Sequence, residues 1–172
     1  MGEIFQPSAI IATLARHRVR YVLVGGLAAA IHGSPTTTTD ADLCPDRSAS
    51  NLIALAAALR EMDARIRTDA VDGGLPFACD AEFLARMDVT LNLVTKFGDV
   101  DLTLRPAAFH NGFDDLLPRA VEVSVDGGTV MLASLDDIIT SKRAANRPKD
   151  RAVLPILEAL RDEIEDRERP PG

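Results

Sequence analysis

The sequence predicts an α/β (α+β) fold in which a mixed β-sheet is flanked by helices and followed by C-terminal helices. Short runs that are apolar or alternate with a period of two residues predict strands, as in Tyr21–Val24, Val89–Val94 and Asp99–Leu104. Longer stretches with helical periodicity lie between these runs. A chain of 172 residues can bury one good core, so we expect a single domain over residues 1–165 with a helical part at about 134–165.

In the N-terminal half, local signals predict each element in turn. Pro7–Arg16 is predicted to be a helix, since proline suits the first helical turn. The strand Tyr21–Val24 and the helix Leu27–Ile31 follow. Ser48–Met62 is predicted to be a helix because its first residue is a typical N-cap, and Ala64–Thr68 is predicted to be a short strand.

In the C-terminal half, turn and capping residues predict the elements. The predicted elements before residue 134 are a short helix, Cys79–Met87, and the two strands of a hairpin, Val121–Val125 and Thr129–Leu132. Ser134 is a typical N-cap for one terminal helix, and Pro148 suits the first position of the next. Residues 166–172 are charged and proline-rich, which predicts a frayed tail.

A glycine pair lies between the first predicted strand and the next helix. Gly25 and Gly26 allow unusual backbone dihedral angles and let a ligand approach the main chain. The first turn of a helix has free amide groups and carries the positive end of the helix dipole, so it favours an anion. The pair therefore predicts a phosphate site, and a triphosphate would suit it.

Three aspartates predict a metal site. Asp40 and Asp42 lie in a predicted strand, where a period of two places them on one face. Side-by-side carboxylates repel each other unless a cation bridges them, and Mg²⁺ prefers such oxygen ligands. If the later strand lies beside this one, Asp101 completes a two-metal site. Asp99, nearer the turn, is expected to be solvated.

These motifs resemble those of a known superfamily. The segments that carry the resemblance are Gly25-Gly26, Gly33-Ser34-Pro35, Thr38-Thr39-Asp40-Ala41-Asp42-Leu43, Gly98-Asp99-Val100-Asp101-Leu102 and Ile139 to Asp150. Together they are similar to the DNA-polymerase-beta-like nucleotidyltransferases, most closely to the bacterial abortive-infection (AbiE-type) toxins. The segment ending at Asp150 resembles the lysine-to-aspartate motif of that group. The resemblance spans roughly residues 20–160 and implies the nucleotidyltransferase fold.

Residue by residue, the resemblance implies a nucleotide site for an NTP. The residues that would bind the nucleotide are Gly25, Gly26, Ser34, Lys142 and Asp150. The residues that would act in catalysis are Asp40, Asp42, Asp101 and Lys142, with the three aspartates holding two Mg²⁺ ions. Lys142 and Asp150 also have a purely structural interpretation. Lys142 lies in a last helical turn and Asp150 in a first turn, and at these positions each charge offsets the helix dipole.

The chain departs from the resemblance before the aspartate pair. Relatives commonly have Arg or Lys there, whereas this chain has Thr36–Thr39, which cannot make charge-assisted phosphate contacts. Three functions stay open. The first is NMP transfer to RNA, with the tRNA 3′ end as the first guess, by the toxin of a toxin–antitoxin pair. The second is transfer to a small molecule, as in antibiotic-modifying relatives, and the third is a binding module whose site has decayed.

The chain as a whole is acidic, but one local cluster is basic. The formal net charge of −7 excludes a protein that coats nucleic acid by bulk attraction, and it suits a basic partner such as an antitoxin. One cluster is basic, and its members are Lys142, Arg143, Arg147, Lys149 and Arg151. This basic cluster is either a solvated face or a landing site for RNA phosphates.

The histidines, the cysteines and the apolar runs add no residue to the predicted site. The histidines, which show no metal-ligand spacing, are His17, His32 and His110. Cys44 and Cys79 are predicted to be reduced core thiols. The longest apolar run, Tyr21–Ile31, is too short to span a bilayer, and the N-terminus lacks a secretion signal, so we expect no membrane contact and a cytoplasmic location. Abundant Arg, Ala and Asp suggest a bacterium with a GC-rich genome.

Overall fold

The computed structural model describes residues 4–171, which form a seven-stranded sheet with helices packed against it. The strands are β1 (Tyr21–Val24), β2 (Asp40–Pro45), β3 (Arg65–Ile66), β4 (Thr90–Thr95), β5 (Gly98–Thr103), β6 (Val121–Val125) and β7 (Gly128–Leu132). The helices are α1 (Pro7–Arg16), α2 (Gly25–His32), α3 (Ala49–Glu61), α4 (Ala81–Arg86), α5 (Phe113–Leu116), α6 (Leu135–Ala145) and α7 (Pro148–Glu168). A 3₁₀ turn, Leu117–Arg119, follows α5.

The sheet is mixed, as predicted. Its strand order is β3-β4-β5-β2-β1-β7-β6. Strand β2 is parallel to β5 and β1 is parallel to β7, whereas the other neighbouring pairs are antiparallel. Because parallel neighbours need a long crossover, the chain between β2 and β5 passes through α3, β3, α4 and β4.

The centre of the sheet is covered on both faces. All of β1 is buried, and Val22 and Leu23 have no exposed surface. Helices α1 and α3 contact each other, while α2 packs against α6 and α6 against α7. Burying a Leu or Val side chain stabilises a fold by about 1.5–3 kcal/mol. The strands that carry the aspartates are therefore held by a tightly packed core.

Two helix starts follow the predicted capping residues and one differs. The Ser134 hydroxyl accepts a hydrogen bond from Asp137 N, as expected of an N-cap. Pro148 lies in the first turn of α7. Ser48 occupies the N-cap position of α3, but its hydroxyl donates to Asp46 instead of accepting from the helix.

Several element bounds differ from the predictions, and three of these differences bear on the fold. Helix α2 begins at Gly25, directly after β1, because φ of +69° at this glycine turns the chain without a loop. The predicted strand Ala64–Thr68 is limited to Arg65–Ile66 at the sheet edge. Helix α7 continues to Glu168, into the segment predicted to fray, and an i,i+4 ion pair joins Arg167 to Glu163 near this end. Within residues 4–171 no helix combines the length and the apolar composition that crossing a bilayer requires.

Candidate active site

Three carboxylates converge where β2 and β5 lie side by side. In this parallel pair Asp42 lies opposite Asp101, and Asp40 lies opposite Asp99. One carboxylate oxygen from each of Asp40, Asp42 and Asp101 lies within 4.8 Å of the other two. We call these three residues the acidic triad. The structure thus brings together the three residues that were predicted to bind metal.

The acidic triad has the electrostatics of a cation site. Burial, together with the charges of Asp40 and Asp101, raises the pKa of Asp42 to about 7. Burial also raises the pKa of Asp101, although the Arg67 guanidinium opposes this effect. Carboxylates this close need a counter-ion to remain ionised at low cost, and hard divalent cations prefer oxygen ligands. The three side chains therefore fit a Mg²⁺ site.

Arg67 is a site residue that sequence reasoning missed. Its Nη2 lies 2.8 Å from Asp101 Oδ1, and its Nη1 lies 2.8 Å from Asp99 Oδ2. Its main-chain N–H donates to Asn92 O at 2.9 Å, which ties the residue to β4. Asp99, expected to be solvated, is thus partly exposed and ion-paired. The signal was an arginine in the predicted strand Ala64–Thr68, but the sequence does not show which strand this segment pairs with.

The two glycines make different contacts. A Cβ at Gly25 would lie 2.0 Å from Asp42 Oδ2, so only glycine lets this carboxylate lie against the main chain. A Cβ at Gly26 would lie 3.1 Å from Thr38 Oγ1. The Thr38 hydroxyl donates to Asp40 Oδ1 at 3.0 Å. Gly25 therefore shapes the acidic triad directly, whereas Gly26 packs against Thr38.

Ser34 is not among the residues that line the cleft. It is buried, and its Oγ is 2.8 Å from Thr36 Oγ1. Thr36–Thr38, together with Gly25 and Gly26, line the cleft described below. A direct contact between Ser34 and a triphosphate stays a prediction.

The acidic triad faces a cleft of about 960 Å³ between the sheet and the last two helices. The sheet wall of this cleft includes the acidic triad, Thr90, Asn92, Thr103 and Arg105. The helical wall includes Asp137, Ile138, Ser141, Lys142, Ala145, Arg147, Lys149, Ala152, Val153 and Ile156. A cleft of this volume is large enough for a nucleotide, since small-molecule pockets span roughly 300–1,000 Å³.

A buried carboxylate organises the helical wall. Asp150 has no exposed surface, and its carboxylate lies 3.6 Å from Lys142 Nζ and 2.7 Å from Arg147 Nε. Burial favours the neutral acid, but the hydrogen bonds from Arg147 and the charges of Arg147 and Lys142 together lower the pKa of Asp150. Across the cleft, Lys142 and Lys149 act to lower the pKa of Asp42. Asp150 therefore stays ionised and holds two cations beside the cleft.

The predicted basic cluster divides into two groups. Lys142, Arg147 and Lys149 line the cleft. Arg143 instead forms an ion pair with Glu158 on α7. The guanidinium of Arg151 donates to Asn146 O at 2.6 Å, at the end of α6. The cluster is thus partly a wall of the site and partly an ordinary surface.

The histidines and cysteines lie outside this arrangement. His32 Nε2 is 2.8 Å from Ala133 O, a contact that links α2 to the start of α6. Cys44 is buried and Cys79 is partly buried, and both are free thiols, as predicted. Across residues 4–171, the acidic triad is the group of His, Cys, Asp or Glu side chains with spacing suited to a metal ion.

Comparison with known proteins identifies the fold. No protein-family model matches the chain, and no curated protein matches it significantly in sequence. Its structure is similar to that of the lincosamide antibiotic adenylyltransferase LnuA with lincomycin bound, with a TM-score of 0.60 and 13% identity over 92% of this chain and 99% of that one. It is also similar to a Thermotoga maritima protein assigned as a nucleotidyltransferase, with a TM-score of 0.54 and 16% identity over 95% and 97% of the two chains. The chain therefore has the nucleotidyltransferase fold that the motifs implied.

Proposed function

We propose that the protein is a Mg²⁺-dependent nucleotidyltransferase that transfers a nucleoside monophosphate from an NTP to an acceptor hydroxyl. The observation that carries the proposal is the convergence of Asp40, Asp42 and Asp101 opposite a wall that presents cations. The shared fold supports it. A metal–triphosphate complex has the charges that both walls require, with cations for the acidic triad and an anion for the helical wall.

The acidic triad is the proposed catalytic centre. Asp40, Asp42 and Asp101 would hold two Mg²⁺ ions. When bound, Mg²⁺ would neutralise these carboxylates and stabilise the charge on the transferred phosphate. The Asp101 carboxylate would accept the proton of the acceptor hydroxyl, whose oxygen bonds to the α-phosphorus while the bond to pyrophosphate breaks.

The remaining predicted residues would secure the triphosphate. Gly25, Gly26 and Ser34 would lie beside it, Lys142 would contact phosphate, and Asp150 would hold that lysine in place. Lys142, Arg147 and Lys149 supply positive charge to the cleft from the helical wall, whereas Thr36–Thr39 carry none. Because these basic side chains supply the charge that the threonine run lacks, an active enzyme is favoured over a decayed binding module.

RNA is the acceptor that we propose, with the tRNA 3′ end as the first guess. Arg105 and the cations of the helical wall line the same cleft as the acidic triad, which suits a polyanionic acceptor. The resemblance to AbiE-type motifs supports a toxin that acts in the bacterial cytoplasm and is opposed by a cognate antitoxin.

A small-molecule acceptor is the second candidate. It is favoured by the structural similarity to a lincosamide adenylyltransferase, which extends over nearly the whole of both chains. A hydroxyl-bearing antibiotic would then take the place of the RNA end.

Label transfer tests the proposal. The protein is incubated with Mg²⁺ and each labelled NTP in turn, with total RNA or with a panel of hydroxyl-bearing antibiotics that includes lincomycin. We expect label in RNA, lost in Asp40→Ala and Asp42→Ala and retained in Asp69→Ala, an exposed carboxylate in the loop after β3. Label in an antibiotic alone would favour the second candidate. No transfer, with no Mg²⁺-dependent heat of NTP binding in calorimetry, would leave the decayed binding module.

A further inference from the structure

Arg67 sits on the acidic triad itself. Among the described residues it is the cation within ion-pair distance of the triad, at 2.8 Å from Asp101 Oδ1. The cations of the helical wall face the same cleft, but the charge in direct contact with a proposed metal ligand comes from the sheet edge. Nothing in the proposed reaction yet uses it.

We propose that Arg67 is a positioning residue that holds Asp101 in place and makes metal binding by the acidic triad depend on the nucleotide. The inference rests on the proposed function. It assigns to a residue outside the recognised motifs the control of when the site takes up its metal.

The geometry gives Arg67 little freedom. Its main chain is hydrogen-bonded to Asn92, which lies opposite Asp101 in the β4–β5 ladder. The two nitrogen ends of its guanidinium each contact a different carboxylate, Asp101 and Asp99, on the same face of β5. A planar guanidinium held at both ends fixes the orientation of the groups that it contacts. Asp101 Oδ1 is therefore held, while Oδ2 has no side-chain hydrogen bond within residues 4–171.

The hydrogen bonds of Arg67 support the geometry of the metal site, but its positive charge opposes the binding of a cation there. A positive group beside Asp101 lowers the negative potential that draws a free divalent cation to the acidic triad. An incoming triphosphate brings both additional oxygen ligands and negative charge, which offset that repulsion. Arg67 thus favours the geometry of the loaded site and disfavours metal binding before the nucleotide arrives.

These two effects separate a positioning role from a merely structural one. If Arg67 only stabilised the sheet edge, its loss would weaken metal binding and turnover together. Under the proposal, Arg67→Gln tightens Mn²⁺ binding to the nucleotide-free protein by roughly tenfold, because one positive charge is removed a few ångströms away. The same change lowers kcat by about 100-fold, because the Asp101 carboxylate is no longer held in one orientation.

The experiment measures Mn²⁺ binding by electron paramagnetic resonance, with and without a non-hydrolysable NTP analogue, alongside kcat. Arg67→Lys keeps the charge and is expected to show nearly the wild-type Mn²⁺ affinity with partly recovered kcat. Arg65→Gln removes a positive charge from the same segment, where the side chain donates a hydrogen bond to Gly74 O, and is expected to change neither quantity. Circular dichroism confirms that each variant is folded.

Asp99→Asn provides a second variant that leaves Arg67 in place. Without this second anchor, the guanidinium charge acts on Asp101 alone, so Mn²⁺ binding to the nucleotide-free protein is expected to weaken. Equal or weaker Mn²⁺ binding in Arg67→Gln would overturn the inference while leaving the proposed function intact. Absence of Mn²⁺ binding in the wild type, with and without the NTP analogue, would overturn both.

Discussion

The two walls of the cleft hold their charged groups in different ways. On the sheet wall, Asp42 and Asp101 lie together because they are opposite residues of parallel strands. On the helical wall, Lys142 and Arg147 come from α6 and from the residue before α7, and the buried Asp150 joins them. One wall forces like charges together through backbone pairing, and the other matches opposite charges through side chains.

The helical wall is complete without a ligand, whereas the sheet wall is not. The carboxylates of the acidic triad repel one another, and burial together with this repulsion raises the pKa of Asp42. The ion pairs of the helical wall satisfy one another, and the lowered pKa of Asp150 records the gain. The sheet wall therefore needs a bound cation to offset the repulsion among its carboxylates, whereas the charges of the helical wall are already paired without a ligand.

The largest expected effect comes from adding one methyl group to the sheet wall. Gly25→Ala would place a Cβ 2.0 Å from Asp42 Oδ2 at a φ of +69°, so the carboxylate must move. We expect a loss of nucleotidyl transfer of about 100-fold, the scale that a displacement of about 1 Å produces at a reacting centre. Rates measured at saturating NTP check this.

Gly26→Ala is the matched control for that change. Its Cβ would lie 3.1 Å from Thr38 Oγ1, and a shift of a few tenths of an ångström in that side chain can accommodate it. The loss should be much smaller than for Gly25→Ala. Equal losses in the two variants would show that the wall is not held as rigidly as the strand register indicates.

A smaller effect is expected from the helical wall. Asp150→Asn keeps the side-chain shape but removes the charge that holds Lys142 and Arg147. We expect a loss of stability of about 1–3 kcal/mol, because a buried ionic partner is removed. The KM for NTP should rise by roughly tenfold, equivalent to one charge-assisted contact, while kcat changes less.

Thermal unfolding and steady-state kinetics measure these two quantities. Glu158→Gln is the control, since it removes a more exposed carboxylate of α7 that pairs with Arg143 of α6. If Asp150→Asn lowered kcat as strongly as Gly25→Ala, the division of labour between the walls would be wrong.

The sheet wall was largely predictable because its signal is periodic. Alternation alone places Asp40 and Asp42 on one face, and the motif resemblance predicted that Asp101 would join them. Arg67 escaped prediction because β3 is a two-residue edge strand, and a segment so short carries no register information. Pairing between distant strands is a property of the folded sheet.

The helical wall was predictable only in outline. Ser134 and Pro148 marked the helix starts correctly, because capping is a local property. The complete burial of Asp150 was not predictable, since a first-turn acid is usually exposed to solvent. Whether such a residue is buried depends on how α6 packs against α7, which the sequence of either helix does not show.

The smallest expected effect is a difference in how the two walls respond to pH. Burial and the neighbouring carboxylates raise the pKa of Asp42 from 3.8 to about 7, so the stability that this group contributes to the metal-free protein is lost as pH rises from about 4 to 7. Asp42→Asn should therefore raise the Tm in EDTA at pH 8, by roughly 2–4 °C for each kcal/mol recovered, and the gain should vanish near pH 4. Added Mg²⁺ should raise the wild-type Tm at pH 8 more than that of the variant.

For Asp150 the pKa is lowered, so its contribution to stability is present at neutral pH and is lost as pH falls below about 4. At pH 8 the two substitutions should thus shift Tm in opposite directions, and shifts of the same sign would contradict the contrast between a strained sheet wall and a satisfied helical wall.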